Sequence, residues 1–132
     1  VSAAETIEEI LRRRFVVVIR TETPEQAYDS AQACVRGGVR LVEITCSVPA
    51  AHEVIHQLSR GGGVTVGAGT VLTIPDAVSV LEAGAAFVVS PHFDREIVKF
   101  AKAEGSVSIP GASTPTEILK AHQSGADFIK LF

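Results

Sequence analysis

Two charged residues stand in apolar runs, where charge is costly. The segment ADFIKLF, residues 126–132, places Lys130 among Phe128, Ile129, Leu131 and Phe132. The segment RLVEIT, residues 40–45, places Glu43 among Leu41, Val42 and Ile44. Alternate residues of a strand share a face, so Lys130 lies with Phe128 and Phe132, and Glu43 with Leu41 and Thr45. An amine in a dry pocket is disfavoured as the ammonium, which leaves a nucleophile for Schiff-base formation. A carboxylate beside it can act as general acid and base. The bland alternatives are a lysine snorkelling at a strand end and a glutamate held in a structural ion pair.

Further polar groups fall at strand ends. Arg20 closes FVVVIR (15–20), and Thr70 closes VTVGAGT (64–70). A planar guanidinium suits a substrate carboxylate, and a threonine hydroxyl donates one hydrogen bond. Taken singly, each also reads as a surface arginine and an ordinary strand-end threonine. The glycines of GAGT (67–70) leave room for a ligand or another backbone to approach. His52 and His56 lie four residues apart, a spacing that still needs further ligands to make a metal site; no metal and no cofactor is expected. His92 follows Ser90 and Pro91 and reads as a rim residue.

The elements that must position these groups alternate along the chain. Strand-like runs occur at 15–20, 39–45, 64–70, 85–91, 106–111 and 126–132. Helical stretches separate them. One opens with Thr23 as N-cap and Pro24 at the first helical position, and Pro75 and Pro115 repeat that grammar. Near-continuous apolar strands alternating with helices predict a parallel sheet covered by helices. A weak repeat strengthens this. GVRLVEI, GAAFVVS and GADFIKL align on Gly38, Gly84 and Gly125, each ending a helix before a buried strand. The same offset from each glycine reaches Glu43, Val89 and Lys130. Regular βα units predict an α/β fold of the TIM (βα) barrel type, with about six of the eight units of a full barrel in one domain, residues 1–132. A doubly wound open sheet is the other architecture, but no glycine-rich phosphate loop follows the first strand.

Composition narrows the function classes. The chain has 132 residues, 46% hydrophobic and 20% charged, with a formal net charge of −3. That balance describes a folded chain rather than a disordered one. Arg12–Arg14 form the only basic run and are expected to end a solvated helix, so no nucleic-acid partner is expected. The apolar runs are too short to span a membrane. Two cysteines make neither a disulfide framework nor a zinc site. A reducing, cytoplasmic setting is the expectation, with a plastid also open because a transit peptide would precede Val1. The absence of methionine implies a start inside the gene product or processing.

Several stretches taken together, GGVRLVEIT, VGAGTVL, FVVSPHFD, IPGAST and FIKLF, occur in an order and at intervals that resemble a known family. It is the 2-dehydro-3-deoxy-6-phosphogluconate (KDPG) / 4-hydroxy-2-oxoglutarate (KHG) aldolase family. The resemblance covers nearly the whole chain. It implies a metal-independent class I aldolase on a TIM barrel, generally homotrimeric, acting on a small 2-keto acid. It implies Lys130 as the Schiff-base lysine, Glu43 as the catalytic glutamate, and Thr70 and Pro91 as lining the pyruvate pocket. Residues 110–114 match a rim loop, and Phe132 an aromatic position close to the lysine.

Two departures accompany the resemblance. Family members commonly carry an arginine four residues after the glutamate, where it binds substrate carboxylate. Here that position is Ser47, so either Arg20 takes the role or the substrate preference differs. The chain also stops at the sixth strand, so a truncated barrel is expected, without the strands that form the family's phosphate site and with weak or no activity on phosphorylated substrate. Two further function classes stay open: a non-catalytic barrel serving as an assembly or binding module, and another phosphate-sugar barrel enzyme such as an epimerase or synthase.

Overall fold

The computed structural model describes residues 1–132. Helix and strand alternate in the order α1 (Ala3–Arg13), β1 (Val17–Ile19), α2 (Pro24–Arg36), β2 (Leu41–Thr45), α3 (Ala51–Gly61), β3 (Thr65–Gly69), α4 (Ile74–Glu82), β4 (Phe87–Val89), α5 (Arg95–Ala103), β5 (Val107–Ile109), β6 (Gly111–Ala112), α6 (Pro115–Gln123) and β7 (Lys130–Leu131). Every strand pair is parallel, and β1 to β5 lie side by side in sequence order. β6 pairs with β7. This is part of a (βα) barrel wall, as the alternation of elements predicts. No helix is long and apolar enough to cross a membrane.

The element boundaries follow local chemistry. Thr23, Thr73 and Thr114 each cap a helix, their hydroxyls accepting the amides of Gln26, Asp76 and Glu117. Gly38, Gly84 and Gly125, the three aligned glycines, all take positive φ (96°, 101° and 88°) where the chain leaves a helix for the next strand. α1 ends at Arg13 with Arg14 as its C-cap, within the basic run. Six strand runs become seven strands because Pro110 divides the fifth. Proline has no N–H for the ladder, so β5 stops at Ile109 and β6 resumes at Gly111.

The two faces of the sheet carry unequal cores. Twenty buried residues, among them Val42, Ile44, Ile55, Leu58, Val66 and Val88, pack between the sheet and its helices. The inner face has four: Leu41, Phe87, Val89 and Val107. At about 1.5–3 kcal/mol per buried large apolar side chain, most of the stability sits outside the barrel wall. α1 reaches the inner cluster with Ala3, Ile7 and Ile10, joined there by Val16 and Phe128. The upper inner face is thereby left for polar groups.

The close fit inside depends on a glycine. A Cβ at Gly67 would lie 2.2 Å from the ring of Phe87, which is fully buried and cannot swing away. Gly67→Ala is therefore expected to cost about 1–3 kcal/mol through overpacking. Phe87→Leu in the same chain, by removing the offending edge of the ring, is expected to recover part of that loss. Urea unfolding of both single variants and the double variant measures the coupling; strictly additive effects would contradict this account.

Candidate active site

Glu43 and Lys130 meet on the inner face. Glu43 is the central residue of β2, its side chain 5% exposed, and Lys130 opens β7. Lys130 Nζ stands 3.8 Å from Glu43 Oε1, too long for a direct hydrogen bond but close enough for a strong field. The alternation read from the sequence holds: Leu41 joins the inner cluster while Val42 and Ile44 join the outer one. Burial pushes the Glu43 carboxyl above its ordinary value of 4.5, opposed by the charges of Lys130 and then Arg20. A buried carboxylate so placed holds and releases a proton closer to neutrality than an exposed one.

Gly69 makes the space for that carboxylate. A Cβ there would fall 1.9 Å from Glu43 Oε1. The GAGT glycines therefore admit side chains, Phe87 at Gly67 and Glu43 at Gly69, a use that the sequence, read for the approach of a ligand or another backbone, does not indicate. No sequence signal marks which distant side chain will fill a glycine's place.

The strand ends complete the rim. Arg20 follows β1 and donates from its guanidinium to the Thr70 hydroxyl at 3.0 Å. Thr70 has φ 55°, a left-handed conformation that β-branched residues rarely adopt. Strain of this kind persists where surrounding structure holds it, and functional sites are where it collects. Ser47 lies in the turn after β2, its hydroxyl 2.8 Å from that of the fully buried Thr45. Thr45 shares the Glu43 face, as the strand alternation predicts, but nothing in the sequence marks it as a partner of Ser47. Pro91 and His92 are exposed beyond the end of β4. A Cβ at Gly111 would meet the Pro91 carbonyl carbon and oxygen at 2.4 Å, so that glycine lets the two rim segments close on each other.

One expectation needs correcting. Lys130 is not in a dry pocket: its side chain is 37% exposed. The cause is its place on β7, an edge strand. Across the opening, Val18 on β1, the other edge, is 47% exposed. Phe132, 63% exposed, supplies a ring whose centroid is 5.5 Å from Lys130 Nζ, within reach of a cation–π attraction.

Other reactive groups stand apart. Burial, with Asp76 adding to it, pushes the Cys46 thiol up to about 11, which leaves it inert at neutral pH. His52 and His56 are exposed on α3, and no grouping of three or more His, Cys, Asp or Glu side chains has metal-binding geometry.

A family model described as KDPG and KHG aldolase matches residues 7–132. The 2-dehydro-3-deoxy-phosphogluconate aldolase of Treponema pallidum (strain Nichols) is 39% identical over 129 residues, covering 96% of this chain and 61% of the relative. The KHG/KDPG aldolase of Escherichia coli (strain K12) is 37% identical, covering 89% of this chain and 55% of the relative. The crystal structure of 2-keto-3-deoxy-6-phospho-gluconate aldolase from Zymomonas mobilis ATCC 29191 superposes with a TM-score of 0.81 at 32% identity, covering 89% of this chain and 57% of that one. The chain thus spans 61% and 55% of the length of these two curated relatives.

The raised Glu43 carboxyl has a signature in stability. It binds its proton more tightly folded than unfolded, so it favours folding at low pH. That contribution is lost as pH rises through 4.5 towards the raised value. Glu43→Gln carries no such titration. The stability of Glu43→Gln relative to wild type is therefore expected to increase between pH 4 and pH 8. The lowered carboxyls of Glu5, Glu9 and Glu117 slope the other way but cancel between the two chains. Urea midpoints at each pH give the difference, and a difference independent of pH would count against the raised carboxyl.

Proposed function

The chain belongs to the KDPG and KHG aldolase family, and from that premise we propose that it carries the Schiff-base machinery of an aldol cleavage, with Lys130 as nucleophile and Glu43 as proton carrier. The observation that supports this is the pair itself: an amine 3.8 Å from a buried carboxylate on the inner face of a parallel βα wall. That gap admits a water or a substrate hydroxyl between the two groups.

The leading candidate substrate is a 2-keto-3-deoxy sugar acid phosphate, the phosphogluconate compound, and the unphosphorylated 4-hydroxy-2-oxoglutarate is a second. Lys130 attacks the C2 ketone. Glu43 passes protons during carbinolamine formation and loss of water. The protonated imine then takes up the electron pair of the C3–C4 bond as the C4 hydroxyl loses its proton and becomes a carbonyl. Glyceraldehyde 3-phosphate leaves, or glyoxylate from the smaller substrate. The enamine gains a proton at C3, and hydrolysis releases pyruvate and restores the amine. The imine is the electron sink, so these steps call for no metal. In this reading Arg20 faces the substrate carboxylate, with Thr70, Pro91, Phe132 and Ser47 around it. Because Arg20 already donates to Thr70, the two are proposed to act as one unit.

We further propose that copies of this chain associate, the family's trimer being the expected form. Val18, Leu131 and Phe132 are exposed at the two sheet edges, and unpaired edges favour association. Sedimentation equilibrium at micromolar concentration is expected to give a mass above the 13.9 kDa of one chain; a monomer throughout would refute association.

The chemical reading is tested by incubating the chain with pyruvate and borohydride and mapping the adduct. Reduction is expected to fix one pyruvate on Lys130, and Lys130→Ala is expected to abolish the product while remaining folded by circular dichroism. An unmodified Lys130 in folded wild-type chain would overturn the proposal. An adduct formed equally well in Lys130→Ala would assign the chemistry to a different amine.

A further inference from the structure

β7 carries the amine, yet its own pattern does little to fix its register. The strand spans two residues, pairs with the two-residue β6, and is flanked by apolar residues on both faces: Phe128 and Phe132 on one, Ile129 and Leu131 on the other. A slip of one residue would exchange those faces and turn Lys130 away from Glu43. Burial alone would resist it weakly, because apolar groups would replace apolar groups. The neighbouring strand is also deficient at this point. Pro110 offers β7 only its carbonyl, which accepts the Lys130 N–H at 2.9 Å.

Asp127 makes up the deficit. Its side chain is 10% exposed, and its Oδ2 accepts the backbone N–H of Ser108 on β5 at 2.9 Å. Oδ1 accepts from Lys102 Nζ on α5 at 2.5 Å. The N–H groups of Asp127 and Phe128 both donate to the Ser108 carbonyl, at 3.1 and 3.2 Å. Both backbone groups of buried Ser108 are thus engaged at one place on the incoming strand. The carboxylate stands where a strand carbonyl would otherwise accept. Between Gly125 and Phe132 no other side chain is a hydrogen-bond acceptor, so a slipped strand would take from the buried Ser108 N–H the side-chain acceptor it now has.

We propose that Asp127 is a positioning residue for Lys130: its clamp on Ser108 sets the register of β7 and so delivers the amine to Glu43. This rests on the reading of Lys130 as the reacting amine.

Two variants of the full chain test the clamp. Asp127→Ala removes the acceptor; Asp127→Asn keeps an oxygen for the Ser108 N–H and loses the ion pair. Amide exchange reads the register without any chemistry. In Asp127→Ala, protection at Lys130 and Phe132 is expected to fall about tenfold or more, while Ala86 and Val107, whose N–H groups donate to Val66 and Ala86 within the five-stranded sheet, keep theirs. The maximal rate of pyruvate capture by borohydride is expected to fall about tenfold or more, with half-saturating pyruvate changed by less than about twofold. Asp127→Asn is expected to restore both to within about threefold of wild type. The proposal is overturned if Asp127→Ala leaves both readouts intact. It is also overturned if the asparagine variant is as impaired as the alanine one, or if Ala86 and Val107 lose protection equally. Wild-type chain that captures no pyruvate would refute the aldolase reading instead, and the exchange data alone would then decide the clamp.

Discussion

A carboxylate placed inside a barrel wall sets the terms for much of what surrounds it. Glu43 gives up most of its hydration, and a bare buried charge of that kind is costly. Lys130 and Arg20 offset the loss by their charge, incompletely, so the carboxyl stays shifted towards its protonated form. The offset requires space and direction. Gly69 provides the space, since any side chain there would occupy the carboxylate's position. Direction comes from β2, buried at all five positions and paired on both sides, which holds the residue to one face. A single electrostatic demand thereby accounts for a glycine in β3, a lysine in β7 and an arginine just past the end of β1.

The division between the faces of the sheet lets this demand be met. The larger apolar cluster lies outside, between strands and helices, and continues through α2, α3, α4 and α5. The inner cluster is small and is covered below by α1. Polar groups at the upper rim therefore disturb little of the packing that holds the chain together. Thr70 illustrates the consequence. Its left-handed backbone is unfavourable by itself, but the Arg20 bond holds its side chain, and the outer packing supplies the stability that strain removes.

The legibility of the chain follows from the range of the forces involved. Helix and strand alternation, the threonine caps and the glycines at φ near 90–100° are short-range features, and the sequence announces them. Lys130 and Glu43 are visible because charge in an apolar run is rare and has few explanations. What escapes is set by residues distant in the chain. Gly67 and Gly69 accommodate specific side chains of other strands, which no local pattern encodes. The break at Pro110 hides inside a run that looks continuous, because proline interrupts hydrogen bonding and not hydrophobicity. Lys130 reads as buried from its neighbours in sequence, whereas its exposure depends on which strand lies beside it. Asp127 reads as an ordinary polar residue after a helix until its partners on β5 and α5 are known.

The two halves of the site are therefore built to different degrees. Glu43 sits between β1 and β3, in the interior of a paired sheet, and its environment comes from those strands and their glycine. Lys130 stands on β7, partly in water, and its segment is held by the Asp127 carboxylate on Ser108 and by four backbone bonds, from Asp127, Phe128, Lys130 and Phe132. A central strand cannot slip without breaking ladders on both sides, whereas an edge strand gives up only one. Any change in the distance between amine and carboxylate thus costs less at β7 than at β2. The same asymmetry suits the chemistry proposed for the pair. The proton carrier must keep its shifted affinity through the cycle, which a rigid, desolvated setting preserves. The amine must admit a ketone, expel a water and later take one up, which its partial exposure permits.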